Sequence, residues 1–237
     1  MRLPDSCGGS SGRMIELRHV LDFLPDLSTA FVQTILNSVL IFVTGMLLAM
    51  LHQITSALVV PNWISKGWSF WWRSVPEVSV IVLVYYGIGG PMNALGPREI
   101  GIMVLSLISS AYISLLIRAA HEQLDPRQVE SARALGISRL RTQRLIVWPQ
   151  ILKHLRFPMI MYYADVVKQS ALLSVIGVYG ATMEAYRLGS DTFRYLEALV
   201  VVAALFFLYI SVVEYLARLV GNKRRASPND RVWWDRP

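Results

Sequence analysis

Long apolar stretches separated by polar and charged ones dominate the pattern of this chain. Four windows have the length and apolarity needed to cross the roughly 30 Å hydrocarbon core of a bilayer, and a fifth is shorter and more broken. The five windows cover residues 31–50, 75–88, 100–119, 157–178 and 195–220, and the second of them is the weak one. The pattern predicts an all-α integral membrane protein with five transmembrane helices.

Polar stretches divide the chain around this apolar region. Residues 1–27 form a polar to amphipathic N-terminal segment, residues 28–221 a transmembrane domain, and residues 222–237 a basic tail. A better-patterned helical stretch begins at Met14, so Met14 is an alternative to Met1 as the true start. A polar insert, residues 120–156, separates the third window from the fourth.

Composition and charge agree with a membrane protein. Hydrophobic residues make up 54% of the chain and charged residues 16%, whereas about a quarter of an average soluble domain is charged. The basic residues behind the net charge of +7 flank the apolar windows, which favours contact with the lipid bilayer over nucleic-acid binding. They cluster in the insert and the tail, and positive loops stay cytoplasmic. With five spans, the N-terminus then lies outside and the C-terminus in the cytoplasm.

The insert begins with the signals of a short helix. Asp125 supplies an acceptor at the N-cap, Pro126 fits the first helical position, and Gln128 stands where a capping box needs it. The predicted apolar face of this helix carries Val129, Ala132 and Leu135.

A glycine separates this helix from a second one. Gly136 stands where helices commonly end in the left-handed conformation. Ser138 is placed to cap the second helix, which is predicted to end before Pro149 because the residue preceding a proline is pushed out of helical geometry. The insert is therefore predicted to be a hairpin of two short helices, too polar to enter the bilayer.

The hairpin carries a spaced motif, formed by Glu130, Ser131, Ala132, Gly136, Ile146 and Pro149. In this register and between two spans, it resembles the loop of ABC importer permeases, which reads E-A-A-x-x-x-G, then nine residues, then I-x-L-P. The chain departs from that loop at Ser131 and at Trp148, which replaces the leucine.

The resemblance implies a type I importer fold in the bacterial plasma membrane, with the hairpin as a coupling helix seated in a groove of a separate ATPase. ATP and Mg²⁺ would bind that ATPase, because this chain has no G-x-x-x-x-G-K-[ST] sequence to cradle phosphates and is not expected to be an enzyme by itself. The other implied partners are a second permease subunit, identical or different, and an external substrate-binding protein.

Further matches point to the polar amino-acid uptake branch of that family, which includes histidine, glutamine, arginine and opine permeases. They comprise Arg73, Pro76, Tyr85, Gly87, Ala111, Tyr112, Arg118, Gln128, Gln150, Pro158 and residues 172–178. The chain departs at Val80, at Leu115 and at residues 169–171, where the branch has glutamine, glutamate and D-T-S. These losses argue against a standard amino-acid pocket within this subunit, and a second, non-identical permease is one source of the missing polar groups.

Five polar residues in or near the spans are candidates for the substrate pathway: Arg73, Glu77, Asp165, Lys168 and Ser170. Polar groups at that depth should face the bundle interior or a cavity. Three of them also have a structural interpretation, because Glu77 suits the first turn of a helix and Asp165 can neutralise Lys168 three residues on. No metal site is predicted, since His121 and His154 have no third patterned ligand.

Two other functions remain open from the residues alone. An ion- or proton-coupled secondary transporter would use Glu77 and Asp165 as relay carboxylates. A non-transporting membrane scaffold would use the hairpin to recruit a soluble protein. The first of these leaves the hairpin unexplained.

Overall fold

A computed structural model describes residues 17–58, 62–89 and 95–222, and the elements in these ranges are helical, which confirms the all-α class. They are α1 (Leu17–Leu58), α2 (Asn62–Ser74), α3 (Glu77–Leu83), α4 (Pro97–Glu122), α5 (Pro126–Ala134), α6 (Arg139–Thr142), α7 (Trp148–Ser170), α8 (Ala181–Thr192) and α9 (Tyr195–Asn222). A π-helix, Val84–Gly89, extends α3; another, Gln143–Val147, joins α6 to α7; a 3-10 helix, Ala171–Ile176, follows α7. The alternative start at Met14 and residues 223–237 of the basic tail lie outside the described residues.

Three described helices are long and apolar enough to cross a membrane, namely Phe23–Ser56, Pro97–Glu122 and Tyr195–Leu219. They confirm long apolar helices at the first, third and fifth predicted windows. The fourth window belongs to a bent pair, in which Arg139–Ile176 meets Ala181–Thr192 at 47°. The weak second window is a shorter apolar helix, Glu77–Gly87.

The central helix of the bundle is α4, because α1, α2, α3 and α7 all pack on it. Its buried face combines isoleucine, leucine and valine with Ser106, Ser109, Ser110 and Ser114. In a bilayer, helices associate through close van der Waals contact and polar pairs, and small residues allow both. The serine face of α4 therefore provides a surface on which a neighbouring helix can approach closely.

That neighbour is α1, and Gly45 is its point of closest approach. A Cβ atom at Gly45 would lie 2.7 Å from Ser109 Cβ and 3.2 Å from the Ser106 carbonyl oxygen. Next to it, the Thr44 and Ser106 hydroxyls are 2.5 Å apart, and Gln53 Nε2 donates to the Ser114 carbonyl oxygen at 3.1 Å. The contact is thus fixed by the absence of a side chain at position 45 and by hydrogen bonds on either side of it.

The chain changes direction after the fourth span at a glycine turn. Gly177 has φ +79°, the Gly177 N–H donates to the Ser174 carbonyl at 3.0 Å, and the Val178 N–H donates to the Leu173 carbonyl at 3.2 Å. This pattern is a Schellman turn, for which glycine has no steric penalty. The following helix, α8, starts with its Ala181 N–H donating to Thr34 Oγ1 at 2.9 Å, which holds it against α1.

We predict that Gly45→Ala destabilises the protein, because the added methyl group requires α1 to shift away from Ser109. The expected loss is about 1–3 kcal/mol, the usual penalty of overpacking. Thermal unfolding of the detergent-solubilised protein measures it. Gly67→Ala in α2 is the matched control, since nothing lies within 4 Å of its added Cβ, and equal melting temperatures for the two variants would contradict the prediction.

Candidate functional site

The first helix of the insert, α5, begins as the sequence predicts. Asp125 is the N-cap, its Oδ1 accepts from the Arg127 N–H at 3.0 Å, and Pro126 occupies the first turn. Gln128, predicted to complete a capping box, instead accepts with its side-chain oxygen from Gln150 Nε2 at 2.6 Å. This bond joins α5 to the start of α7 and so closes the hairpin.

A second Schellman turn ends α5 and confirms the predicted role of Gly136. Its φ is +74°, its N–H donates to the Arg133 carbonyl at 2.9 Å, and the Ile137 N–H donates to the Ala132 carbonyl at 3.0 Å. These bonds satisfy carbonyl groups that would otherwise lack partners at the helix end. The turn reverses the chain immediately after the Glu130 to Gly136 part of the motif.

Two predictions about the second helix are wrong. Ser138 occupies the N-cap position of α6 without a side-chain capping bond. The helix also does not end before Pro149, because the π-helix after α6 leads directly into α7 with Pro149 in its first turn. Pro149 has no backbone N–H to donate, yet the residue before it, Trp148, keeps helical angles of φ −60° and ψ −43°. The second arm of the hairpin is therefore continuous with the fourth span.

The hairpin buries small side chains and exposes large ones. Ala132, Thr142 and Val147 are buried, and Val129 is partly buried against the main core. Leu135, predicted for the same face as Ala132, is 79% exposed, because α5 has already ended at Ala134 and residue 135 belongs to the turn.

Of the six motif residues, Glu130, Ser131, Gly136 and Pro149 are exposed, Ile146 is half-buried and Ala132 is buried against this chain. Ala132 thus lets the hairpin pack closely on its own chain. The sequence reasoning missed two exposed side chains, Leu140 at 82% and Leu145 at 64%. The sequence does signal this exposure, because both leucines stand among arginines in the polar insert. The result is a polar hairpin with an exposed apolar surface, made of Leu135, Leu140 and Leu145.

A second cluster lies where α7 meets the start of α3. Asp165 Oδ1 and Lys168 Nζ are 2.6 Å apart, which confirms that the two can neutralise each other, yet both side chains are 54% exposed. Glu77 Oε1 accepts from Gln169 Nε2 at 2.9 Å. Among the described residues, buried Gln169 Oε1 has no hydrogen-bond partner. An ion pair and a hydrogen-bonded carboxylate thus lie close to each other on the bundle.

The other candidates of the predicted pathway lie elsewhere. Ser170 is buried, accepts from Ser38 Oγ at 2.9 Å and donates to the Val167 carbonyl at 2.8 Å, so it joins α7 to α1. It stands about 140° around the helix from Asp165 at 3.6 residues per turn, which is why the two cannot share a face. Arg73 is half-buried, and its Nε donates to the Ser69 carbonyl at 2.9 Å. Gln169, which the prediction left out, takes the place of Ser170 in the cluster.

The cluster suits contact with a polar or cationic group, because two carboxylates and an amide oxygen are close together. Glu77 and Asp165 are near enough to interact electrostatically. Within the described ranges, no group of three or more His, Cys, Asp or Glu side chains has the arrangement of a metal site. The available chemistry in this part of the chain is therefore hydrogen bonding and charge pairing.

Comparison with known proteins agrees with this arrangement. Residues 41–225 match the family described as binding-protein-dependent transport system inner membrane component. The arginine transport system permease protein ArtQ of Bacillus subtilis (strain 168) is 26% identical over 166 residues, which are 70% of this chain and 76% of that protein. The arginine ABC transporter permease protein ArtQ of Haemophilus influenzae is 29% identical over 181 residues, 72% of this chain and 80% of that protein.

A solved structure shares the fold. The crystal structure of an amino acid ABC transporter with histidines contains a chain that superposes with a TM-score of 0.83 at 24% identity, over 89% of this chain and 99% of that one. The resemblance to ABC importer permeases is thereby confirmed. Because the family match covers most of the chain, including the whole insert, this multi-pass membrane protein belongs to the family of inner-membrane components of binding-protein-dependent transport systems.

Proposed function

We propose that this chain is the permease subunit of an ATP-driven importer and forms half of the translocation pathway for a polar amino acid or a related small polar solute. The observation that carries the proposal is the capped hairpin, which is held between two spans and exposes three leucines on a basic, polar surface. The relatives named for arginine transport support the substrate class. The ion-coupled transporter and the scaffold have no comparable support, because the family is one of binding-protein-dependent transport.

The hairpin is the docking element for the ATPase that holds ATP and Mg²⁺. Large exposed apolar side chains beside basic ones are typical of a surface that another protein covers. The second arm continues through the π-helix into the 23 residues of α7. A displacement of the hairpin by the ATPase is therefore passed directly to the fourth span, as in other helix shifts between two states.

The half-exposed ion pair of Asp165 and Lys168 supports a second permease subunit. Charged side chains within spans face a bundle interior or a water-filled cavity rather than lipid, and in this single chain the pair is only half covered. A like subunit across a pseudo-twofold axis supplies the missing wall and creates the pathway between the two chains. Leu115, which stands where the amino-acid branch has a glutamate, is 37% exposed. This apolar position favours a non-identical partner that brings its own polar group.

The orientation follows from the same arrangement. The hairpin and the end of α9 lie in the cytoplasm of a bacterial cell, and the N-terminus lies outside. The turn at Gly177 and helix α8 then face the external side, where the substrate-binding protein docks. Two basic clusters on one side of the plasma membrane support this orientation.

We predict that Glu130→Lys and Gly136→Leu leave membrane insertion intact but lower ATPase association at least about tenfold, or 1.4 kcal/mol. Leucine at φ +74° costs about 1–2 kcal/mol and distorts the turn, and Glu130→Lys reverses an exposed charge of the motif. Co-purification of the tagged chain with its ATPase, together with uptake by the assembled complex, measures both effects.

Two matched variants control this experiment. Gly136→Asn keeps a residue that tolerates the left-handed conformation, and Glu99→Lys makes the same charge reversal at the opposite end of α4. Both should retain the ATPase. Normal association and uptake in Glu130→Lys and Gly136→Leu would show that the hairpin is not the coupling element.

We predict that Glu77→Gln and Asp165→Asn raise the KM of uptake by about 10- to 100-fold, the equivalent of about 1.5–3 kcal/mol for a hydrogen bond to a charged group. Expression should stay normal, because each amide keeps the shape of the carboxyl group it replaces. Ser170→Ala is the control, since Ser170 joins α7 to α1 and should affect stability without changing KM. Initial uptake rates in proteoliposomes that contain the whole complex give the KM of each variant. An unchanged KM in both amide variants would show that the carboxylates have only a structural role.

A further inference from the structure

A crevice lies between α1 and α7 in the half of the bundle nearest the insert. Its volume is about 380 Å³, within the range of about 300–1,000 Å³ that is typical of ligand pockets. The floor is α4, and the walls are α1 and α7. The principal lining residues are Met46, Met50, Ile113, Ile117, Leu155 and Met159.

The narrow end of the crevice is closed by aromatic side chains. Phe42 of α1 and Tyr163 of α7 meet edge to face, with ring centroids 5.4 Å apart, and the Tyr163 hydroxyl is 3.0 Å from that of Tyr209. Beyond them, Ser38 and Ser170 tie α1 and α7 together. The two helices are thus in contact on the side of the crevice that is farther from the insert.

The end of the crevice nearest the insert carries a charged side chain. Arg156 is the only charged residue among the lining side chains; it is exposed and lies at the mouth, eight residues into α7. An arginine at the end of a span reaches the headgroup region and pairs there with anionic groups, phosphate above all. The remaining lining is almost wholly apolar, and its methionines adapt readily to the shape of an occupant.

The crevice is continuous with an exposed apolar surface of α1. On α1, Val43, Leu47 and Leu51 flank it and are 41%, 58% and 57% exposed. Only 33% of the best apolar window of this helix is buried within the chain. An apolar space that opens sideways into hydrocarbon does not hold water, so the bilayer itself is the source of an occupant.

We propose that this crevice binds one acyl chain of an anionic phospholipid from the leaflet next to the insert, with the phosphate of its headgroup on Arg156. The guanidinium of Arg156 matches the anionic headgroup of such a molecule, and the apolar lining matches its acyl chain. The bound chain fills the space between α1 and α7 close to the coupling hairpin. The site is distinct from the Glu77 and Asp165 cluster, and only the assignment of the leaflet as cytoplasmic rests on the proposed function.

Native mass spectrometry of the assembled complex, released from nanodiscs that contain phosphatidylcholine and phosphatidylglycerol, tests this assignment. The unaltered complex should retain phosphatidylglycerol preferentially. Arg156→Gln should weaken that retention about fivefold, the effect of one basic side chain near an anionic leaflet, and should keep the fold because Arg156 is exposed. Met46→Trp, which fills the crevice, should abolish retention of either lipid at this site.

Arg144→Gln is the matched control, because it removes an equal charge from the insert without touching the crevice. Equal retention in the unaltered complex, Arg156→Gln and Met46→Trp would overturn the proposal. A second measurement is the labelling of Met159→Cys by a lipid-soluble maleimide: protection in the complex by bound phosphatidylglycerol supports the lipid. Equal protection in pure phosphatidylcholine would contradict the preference for an anionic headgroup, and a crosslink from this cysteine to another subunit would identify a protein as the occupant. Either result would overturn the proposal.

Discussion

The packing of α1 on the serine face of α4 is the contact on which the rest of the bundle depends. In hydrocarbon every polar group needs a partner inside the protein, and this contact supplies several at once. Thr44 pairs with Ser106, and Gln53 reaches the Ser114 carbonyl. Arg98 of α4 donates to the buried Asn37 of α1 at 3.0 Å. With α1 and α4 fixed in this way, α7 and α9 can add to the pair through apolar and aromatic contacts.

The polar groups that do find partners inside the bundle also make the Asp165 and Lys168 pair informative. Buried polar residues such as Asn37 and Ser170 already have partners within the chain. The ion pair and Glu77 instead form a charged surface that a single chain leaves half open. Such a surface is stable in a membrane only when another subunit and water cover it. This half-open charged surface supports the proposal that a second permease subunit completes the pathway.

Local chemistry was readable from the sequence, and tertiary context was not. The caps at Asp125 and Gly136 depend on a few adjacent residues, and the structure has both as predicted. The continuation of the helix through Pro149 depends on the π-helix before it, which no local rule for proline anticipates. Ser170 was wrongly grouped with Asp165 because residues that are close in sequence can lie on different faces of a helix. The family motif was the strongest signal because it combined residue types, spacing and position between spans.

Helix α7 connects the hairpin, the crevice and the ion pair of Asp165 and Lys168. At 1.5 Å per residue, the 16 residues from Pro149 to Asp165 span about 24 Å, with Arg156 between them. Pro158 lies inside this helix, where it removes the hydrogen bond to the carbonyl four residues before it and favours a bend. Pro158 is next to Met159, which lines the crevice. In the proposed complex, a displacement of the hairpin reaches the ion pair through α7, and the proposed acyl chain lies beside the position in α7 where proline removes a helical hydrogen bond.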